Sequence, residues 1–255
     1  MPRIRIVLVE PLYDGNVGFS ARVMKNFGFT ELILVNPCSL GIEAFARASH
    51  AKEVLEEAAF MTLEEVFTTS NMVIATTGAL SKSACHPIRM PFYSPKEIRD
   101  LVADVDGTIS ILFGRENWGL SNAEVRRADV ICTIPTAEIY PIVNLSHAVG
   151  ILCYELANLP KGVIAVATAE EMSHLYTHID EYLDLVKHPR FKRRSTMTLI
   201  RRILGRCNLT WREATTIHGL LRRSEWLFCP DEGMDKQPKK AGKYDPDDTD
   251  NHDPR

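Results

Sequence analysis

The stretch Ile4-Arg-Ile-Val-Leu-Val-Glu-Pro-Leu-Tyr-Asp-Gly-Asn-Val-Gly-Phe-Ser-Ala-Arg-Val-Met-Lys-Asn-Phe-Gly28 begins as a strand and ends as a helix. Ile4–Val9 is a short apolar run, a Gly15-Asn16 turn follows, and Val17–Phe27 reads as a helix closed by Gly28. The alternation continues outward. Glu31–Val35 predicts a strand, Ile42–Lys52 and Leu63–Thr68 predict helices, and Met72–Thr76, Thr108–Phe113 and Val130–Ile134 predict further strands. Asn144–Leu159 reads as a long apolar helix ended by Pro160. Strands that are apolar throughout, rather than at every second residue, belong to a mostly parallel sheet covered on both faces. The fold class is α/β.

The pattern changes after Pro160. Residues 161–169 read as a linker. Glu170–Lys187 carries apolar residues at 172, 175, 176, 179, 182, 183 and 186, the spacing of an amphipathic helix, and Pro189 stops it. Thr196–Cys207 and Trp211–Leu227 predict two more helices, the second with Thr210 as N-cap. Residues 1–160 therefore form an α/β domain and residues 170–229 a small all-helical extension. From Pro230 to Arg255 the chain is rich in Pro, Lys and Asp with almost no large apolar residue, and this tail is expected to be disordered.

Charge divides along the same lines. Residues 1–160 hold 13 Lys+Arg against 18 Asp+Glu, residues 161–230 hold 12 against 7, and residues 231–255 hold 5 against 8. Between Lys187 and Arg223 there are 11 basic residues and a single acid, Glu213. Such a stretch suits phosphate binding by counterion release, and it equally suits a solvated helical face. Cysteines at 38, 85, 132, 153, 207 and 229 include no CxxC pair, so neither a disulfide framework nor a zinc site has its spacing. The eight histidines are scattered along the chain, and no metal is expected. The run Ile6–Val9 is too short for a signal h-region or a membrane span, and no later stretch approaches spanning length. A soluble cytoplasmic protein is expected.

Three segments sit where strands hand over to loops, which is where ligands gather in open α/β sheets. The first runs from Glu10 to Arg22, with Asn16, Gly18 and Arg22 at or near a helix N-terminus that attracts anions. The second, Ile111-Leu-Phe-Gly-Arg-Glu-Asn-Trp-Gly-Leu120, pairs the charges Arg115 and Glu116 between Gly114 and Gly119. The third runs from Ile134 through a two-proline loop to Asn144-Leu-Ser146 at the start of a helix. Each has a plain alternative: a strand-to-helix turn, an exposed loop with a surface ion pair, and a capping asparagine.

In this order and spacing, the three segments closely resemble motifs 1, 2 and 3 of the TrmH-like branch of the SPOUT methyltransferases. The matching residues are Asn16, Gly18 and Arg22, then Gly114, Arg115, Glu116, Gly119 and Leu120, then Ile134, Pro135 and Val143-Asn144-Leu145-Ser146. Ile4–Pro11 and Ala21–Gly28 look most like the TrmJ group of that branch, and the likeness covers residues 1–160. The resemblance implies a C-terminal trefoil knot. It also implies an S-adenosylmethionine site built from Thr76, Thr77, Gly78, Gly114, Ile134, Ile142, Val143, Asn144 and Leu145. The implied reaction is methyl transfer to a ribose 2′-hydroxyl of tRNA, at nucleotide 32 of the anticodon loop, on cytidine alone or on cytidine and uridine. Arg22, Glu116, Asn144 and Ser146 would be catalytic. Asn16, Arg22, Arg115, Lys192, Arg193 and Arg194 would touch the RNA, and a homodimer would complete the site. An arginine stays protonated in most protein settings, so Arg22 reads as a phosphate anchor and electrostatic activator rather than a base. Two alternatives stay open: another tRNA or ribosomal RNA nucleotide, and a non-catalytic RNA-binding member. A nicotinamide-dependent oxidoreductase would need GxGxxG after the first strand, which this chain lacks.

Overall fold

A computed structural model describes residues 2–78, 88–157 and 164–228. The chain runs β1 (Arg3–Val9), α1 (Asp14–Asn26), β2 (Leu32–Val35), α2 (Ile42–Ala48), a 3-10 turn (Ser49–Ala51), α3 (Lys52–Glu56), β3 (Ala59–Phe60), α4 (Leu63–Thr68) and β4 (Met72–Thr76). It continues α5 (Pro95–Val102), β5 (Val105–Asp106), β6 (Thr108–Phe113), α6 (Asn122–Arg127), β7 (Val130–Cys132), α7 (Leu145–Leu156) and β8 (Ile164–Ala165). Three helices close it: α8 (Ala169–Leu185), α9 (Arg190–Arg206) and α10 (Trp211–Phe228).

Six strands form one sheet in the order β3-β2-β1-β6-β4-β7, and every adjacent pair is parallel. Burial explains why the strands read as continuous apolar runs. Ile4, Ile6 and Leu8 of β1 enter a layer shared with Val17 and Met24 of α1, Ile98 of α5 and Val149 of α7. Val7 and Val9 face the other way, into a layer with Val66 of α4 and Val125 of α6. From Ile6 to Val9 both faces of the strand are out of water, so no polar alternation survives there, whereas Arg3 and Arg5 still alternate with Ile4 and Ile6 at its start. The sequence of strands places the carboxyl ends of β1, β6, β4 and β7 side by side, where the three motif-bearing loops emerge.

Several elements differ from the sequence reading. The helix expected over 42–52 breaks at Ser49, whose φ of 54° leaves the helical region. The strand expected to reach Ile134 ends at Cys132, and α7 begins at Leu145 with Asn144 as its cap. Residues 158–160, where that helix was expected to end, lie outside the described residues. Helices α5 and α6 fall where no element was expected; each starts with a capping box, Ser94 with Glu97 and Ser121 with Glu124.

Of the expected linker, 161–163 lie outside the described residues. The rest is ordered: β8 pairs with β5, Ala167 is buried, and Thr168 caps α8. Helix α9 starts at Arg190, six residues before the expected Thr196, and Thr210 caps α10 in a reciprocal pair with Glu213. The extension has a small core of its own, Leu175, Ile179 and Ala214. It is also anchored to the sheet domain by polar contacts. Arg202, 2% exposed, donates to the carbonyls of Ala128 (2.6 Å), Val125 and Ile88 (3.3 Å). Tyr176 donates to the buried carboxylate of Asp129 at 3.5 Å. The tail expected from 230 to 255, and Cys85 and Cys229, lie outside the described residues. Among the described residues no helix is long and apolar enough to cross a membrane.

Candidate active site

Strand β6 delivers Phe113 into the core and then turns sharply at Gly114. A Cβ on Gly114 would stand 2.2 Å from the carbonyl carbon of Gly119, so only glycine permits this crossing. Gly119 itself has φ +71°, and its N–H donates to the Arg115 carbonyl at 2.8 Å, closing the loop on itself.

Inside that loop Arg115 is buried and held from two sides. Its guanidinium reaches Glu10 of the first loop at 2.7 and 2.9 Å and Glu124 of α6 at 2.8 and 3.0 Å. Its flat face covers the Trp118 ring at 4.1 Å. Burial opposes its charge, but the hydrogen bonds to Glu10 and Glu124 outweigh it, so its pKa lies above the ordinary arginine value. Arg115 in turn holds the Glu10 carboxyl below the usual carboxylate range. Arg115 was expected to touch RNA; in this structure its donors meet carboxylates of its own chain, and it fixes the loop.

Glu116, the next residue, points to the first loop. Its carboxylate accepts from the backbone N–H of Leu12 (2.8 Å) and Tyr13 (3.4 Å) and from Asn16 Nδ2 (2.9 Å). Asn16 Oδ1 accepts from Asn144 Nδ2 at 3.2 Å. Asn144 Oδ1 then accepts from the backbone N–H and the hydroxyl of Ser146, at 2.9 and 2.8 Å. One chain of hydrogen bonds, Glu116–Asn16–Asn144–Ser146, thus ties all three motifs together. The capping reading of Asn144 holds, and the same side chain also ties the first loop to the third. Glu116, catalytic by the resemblance, holds the first loop in this structure.

Beside this chain lies a cavity of about 320 Å³, within the range of small-molecule sites. Thr76, Thr77, Gly78, Gly114, Ile134, Ile142, Val143 and Leu145 all line it. Asn144 does not line it, though its neighbours on both sides do. Sequence reasoning missed Arg89, Phe113, Asn117, Trp118, Cys132, Pro141 and Ala148 on the same wall. Arg89 donates to the Thr77 hydroxyl and to Asn122 Oδ1, an arrangement no local motif announces. The Cys132 thiol is pushed up to about 12 by burial and is inert as a nucleophile at neutral pH.

Arg22 is not brought to this cavity. It lies six residues past Asn16 on α1, which turns it about 120° around the helix. It is exposed and makes no hydrogen bond or ion pair with another described residue. On the extension, Lys192 and Arg194 are exposed, whereas Arg193 is held by Asp180 at 2.7 Å and by Asp184. Arg193, also expected to touch RNA, is thus paired within its own chain. Among the described residues no three His, Cys, Asp or Glu side chains converge to hold a metal ion.

The SpoU rRNA Methylase family pattern matches residues 3–154. The chain is 38% identical over 225 residues to the tRNA (cytidine-2′-O-)-methyltransferase TrmJ of Methanocaldococcus jannaschii, spanning 84% of this chain and 96% of that protein. It is 31% identical over 248 residues to the tRNA (cytidine/uridine/adenosine-2′-O-)-methyltransferase TrmJ of Pseudomonas aeruginosa, spanning 88% and 95%. Its fold is similar to the crystal structure of TrmJ from Z. mobilis ZM4, with a TM-score of 0.70 and 28% identity over 88% of this chain and 99% of that one.

Proposed function

Because the chain belongs to the SpoU methylase family, we propose that it is a methyltransferase that uses S-adenosylmethionine to methylate a ribose 2′-hydroxyl in tRNA. The observation that carries this reading is the Glu116–Asn16–Asn144–Ser146 chain beside an apolar, glycine-built cavity. The names of the relatives support tRNA and the ribose oxygen.

The cavity fits the cofactor's chemistry. Ile134, Ile142, Val143 and Leu145 offer an apolar wall for adenine, and the tight Gly114 crossing leaves backbone groups free for close approach. When bound there, S-adenosylmethionine supplies an electrophilic methyl group on a sulfonium. The chain's own residues do the rest. Glu116, Asn16 and Asn144 hold the loops at fixed separation, so little reorganisation is left for the moment of reaction. Ser146 stays locked at the start of α7. Arg22 anchors a phosphate flanking the target ribose and stabilises charge growing on its 2′-oxygen.

Arg22 lies off its own chain's cavity, so we place it across a homodimer interface, in the partner's site. The exposed apolar residues Leu12, Tyr13 and Phe19 near or on α1, with Ile151 and Tyr154 on α7, support such an interface. We also propose the C-terminal trefoil knot that the family resemblance implies. We place the domain boundaries at 1–160 and 170–229, with the extension binding RNA through Lys192 and Arg194, in the cytoplasm where tRNA is modified. Within tRNA we propose nucleotide 32, with cytidine as the first acceptor.

Arg22→Ala tests the role of that side chain. Methyl transfer to tRNA should fall at least about 100-fold, while S-adenosylmethionine binding persists. Undiminished transfer with intact tRNA binding would remove Arg22 from the mechanism.

A further inference from the structure

An open groove of about 720 Å³ runs between α6 and α9, floored by α8. Arg126 and Arg127 line it from α6, and Arg190, Arg193, Arg194 and Arg201 from α9, against the single acid Asp180. The α9 arginines lie at i, i+3, i+4 and i+11, so one helical face carries all of them.

Half of these charges are already spent. Arg127 pairs with Glu64 at 2.8 Å, Arg193 is held by Asp180 and Asp184, and Arg201 lies 3.9 Å over the Tyr176 ring and 3.8 Å from Asp129. The side chains of Arg126, Arg190 and Arg194 make no hydrogen bond or ion pair with another described residue. Burial, and then the neighbouring Arg194, hold Arg126 below the usual arginine pKa. The extension and the α/β domain are locked at this seam by the buried Arg202, so the two sets of arginines face each other in a fixed geometry.

We propose that this groove binds the phosphodiester backbone of the RNA substrate, with Arg126, Arg190 and Arg194 as its phosphate ligands. The proposal rests on the tRNA reading above and names a surface shared by both parts of the chain. A bilayer is the other common polyanion. It needs a flat or convex face with apolar side chains beside the cations, whereas these cations lie inside a concavity. The position also suits a substrate. Helix α6 meets the cofactor loop at its first turn, through Glu124 and Arg115, and the groove at its last, through Arg126. Its six residues span about 9 Å, so RNA lying in the groove is one short helix from the cavity.

The test measures binding of the full-length protein to an unmodified tRNA transcript across a salt series. Two variants are used, Arg126→Gln/Arg194→Gln and Arg190→Gln/Arg194→Gln, so that a folding defect in one cannot hide the answer. Affinity should fall about 10-fold in each, and the slope of log K against log salt should become shallower by about 2, with S-adenosylmethionine affinity unchanged. A wild-type slope in both variants overturns the proposal. So does loss of binding to phosphatidylserine vesicles alongside an unchanged tRNA slope. If the groove variants lose slope but the wild-type protein forms no 2′-O-methyl nucleoside, the groove stands and the methylation reading falls.

Discussion

Glu124→Gln isolates the clamp that shapes the second motif. Glutamine keeps the length of the side chain and can still accept from the Ser121 N–H, so the start of α6 stays capped. What it loses is charge. Arg115, whose side chain is 5% exposed, would keep only Glu10, whose own side chain is 41% exposed and already partly solvated. Hydrogen bonds to charged groups contribute about 1.5–3 kcal/mol. One neutral bond survives, so the expected loss is about 2 kcal/mol. For a chain of this size that corresponds to about 4–8 °C in melting temperature. The loop from Gly114 to Leu120 lines the cavity, so cofactor must then reorder it on binding, and affinity should fall up to about 10-fold. Thermal melting and calorimetric titration with S-adenosylmethionine read both effects. A variant that melts within about 1 °C of the wild type and binds cofactor equally would refute the clamp.

Other perturbations reach different parts of the same site. Gly114→Ala forces a Cβ against the Gly119 backbone, and cofactor binding by titration should be lost, not merely weakened. In a double-mutant cycle, Asn16→Ala and Asn144→Ala should couple by about 1 kcal/mol in methyl-transfer kinetics, because each removes the same 3.2 Å hydrogen bond. Glu10→Gln should flatten the acid limb of stability. The lowered Glu10 pKa contributes stability that is present above its unfolded value, near 4.3, and is lost as pH falls through the folded value. The melting difference from wild type should therefore be largest near neutral pH and shrink below about pH 4. Arg202→Met should be strongly destabilising in urea, since it leaves the buried carbonyls of Val125 and Ala128 without their donor.

The sheet was legible because both faces of β1, β4 and β6 are buried, which writes burial into the sequence as unbroken apolar runs. Two short helices were not, although α4, equally short, was read over Leu63–Thr68. Helices α5 and α6 have only 8 and 6 residues, too few for a periodic signal, and their visible traces were the Ser-x-x-Glu boxes at 94–97 and 121–124. The break at Ser49 left no trace because no glycine or proline marks it. In the site, the apolar and glycine residues of the cavity were readable from the motif order. Their partners were not. Arg115 looks like a solvent-facing charge until Glu10, 105 residues away, and Glu124 are folded against it. Arg193 is neutralised by acids on α8 in the same way, and Arg89 reaches Thr77 from a segment with no motif. Local sequence carries burial and capping; it does not carry the pairing of charges brought together by the fold.

The most direct measurement incubates the purified protein with S-adenosylmethionine and unmodified tRNA, then digests the RNA and analyses its nucleosides by mass spectrometry. The account predicts one new 2′-O-methyl nucleoside, 2′-O-methylcytidine first, mapping to nucleotide 32 and absent with Arg22→Ala. A methyl group on a base, or no methyl transfer to tRNA at all, would contradict it.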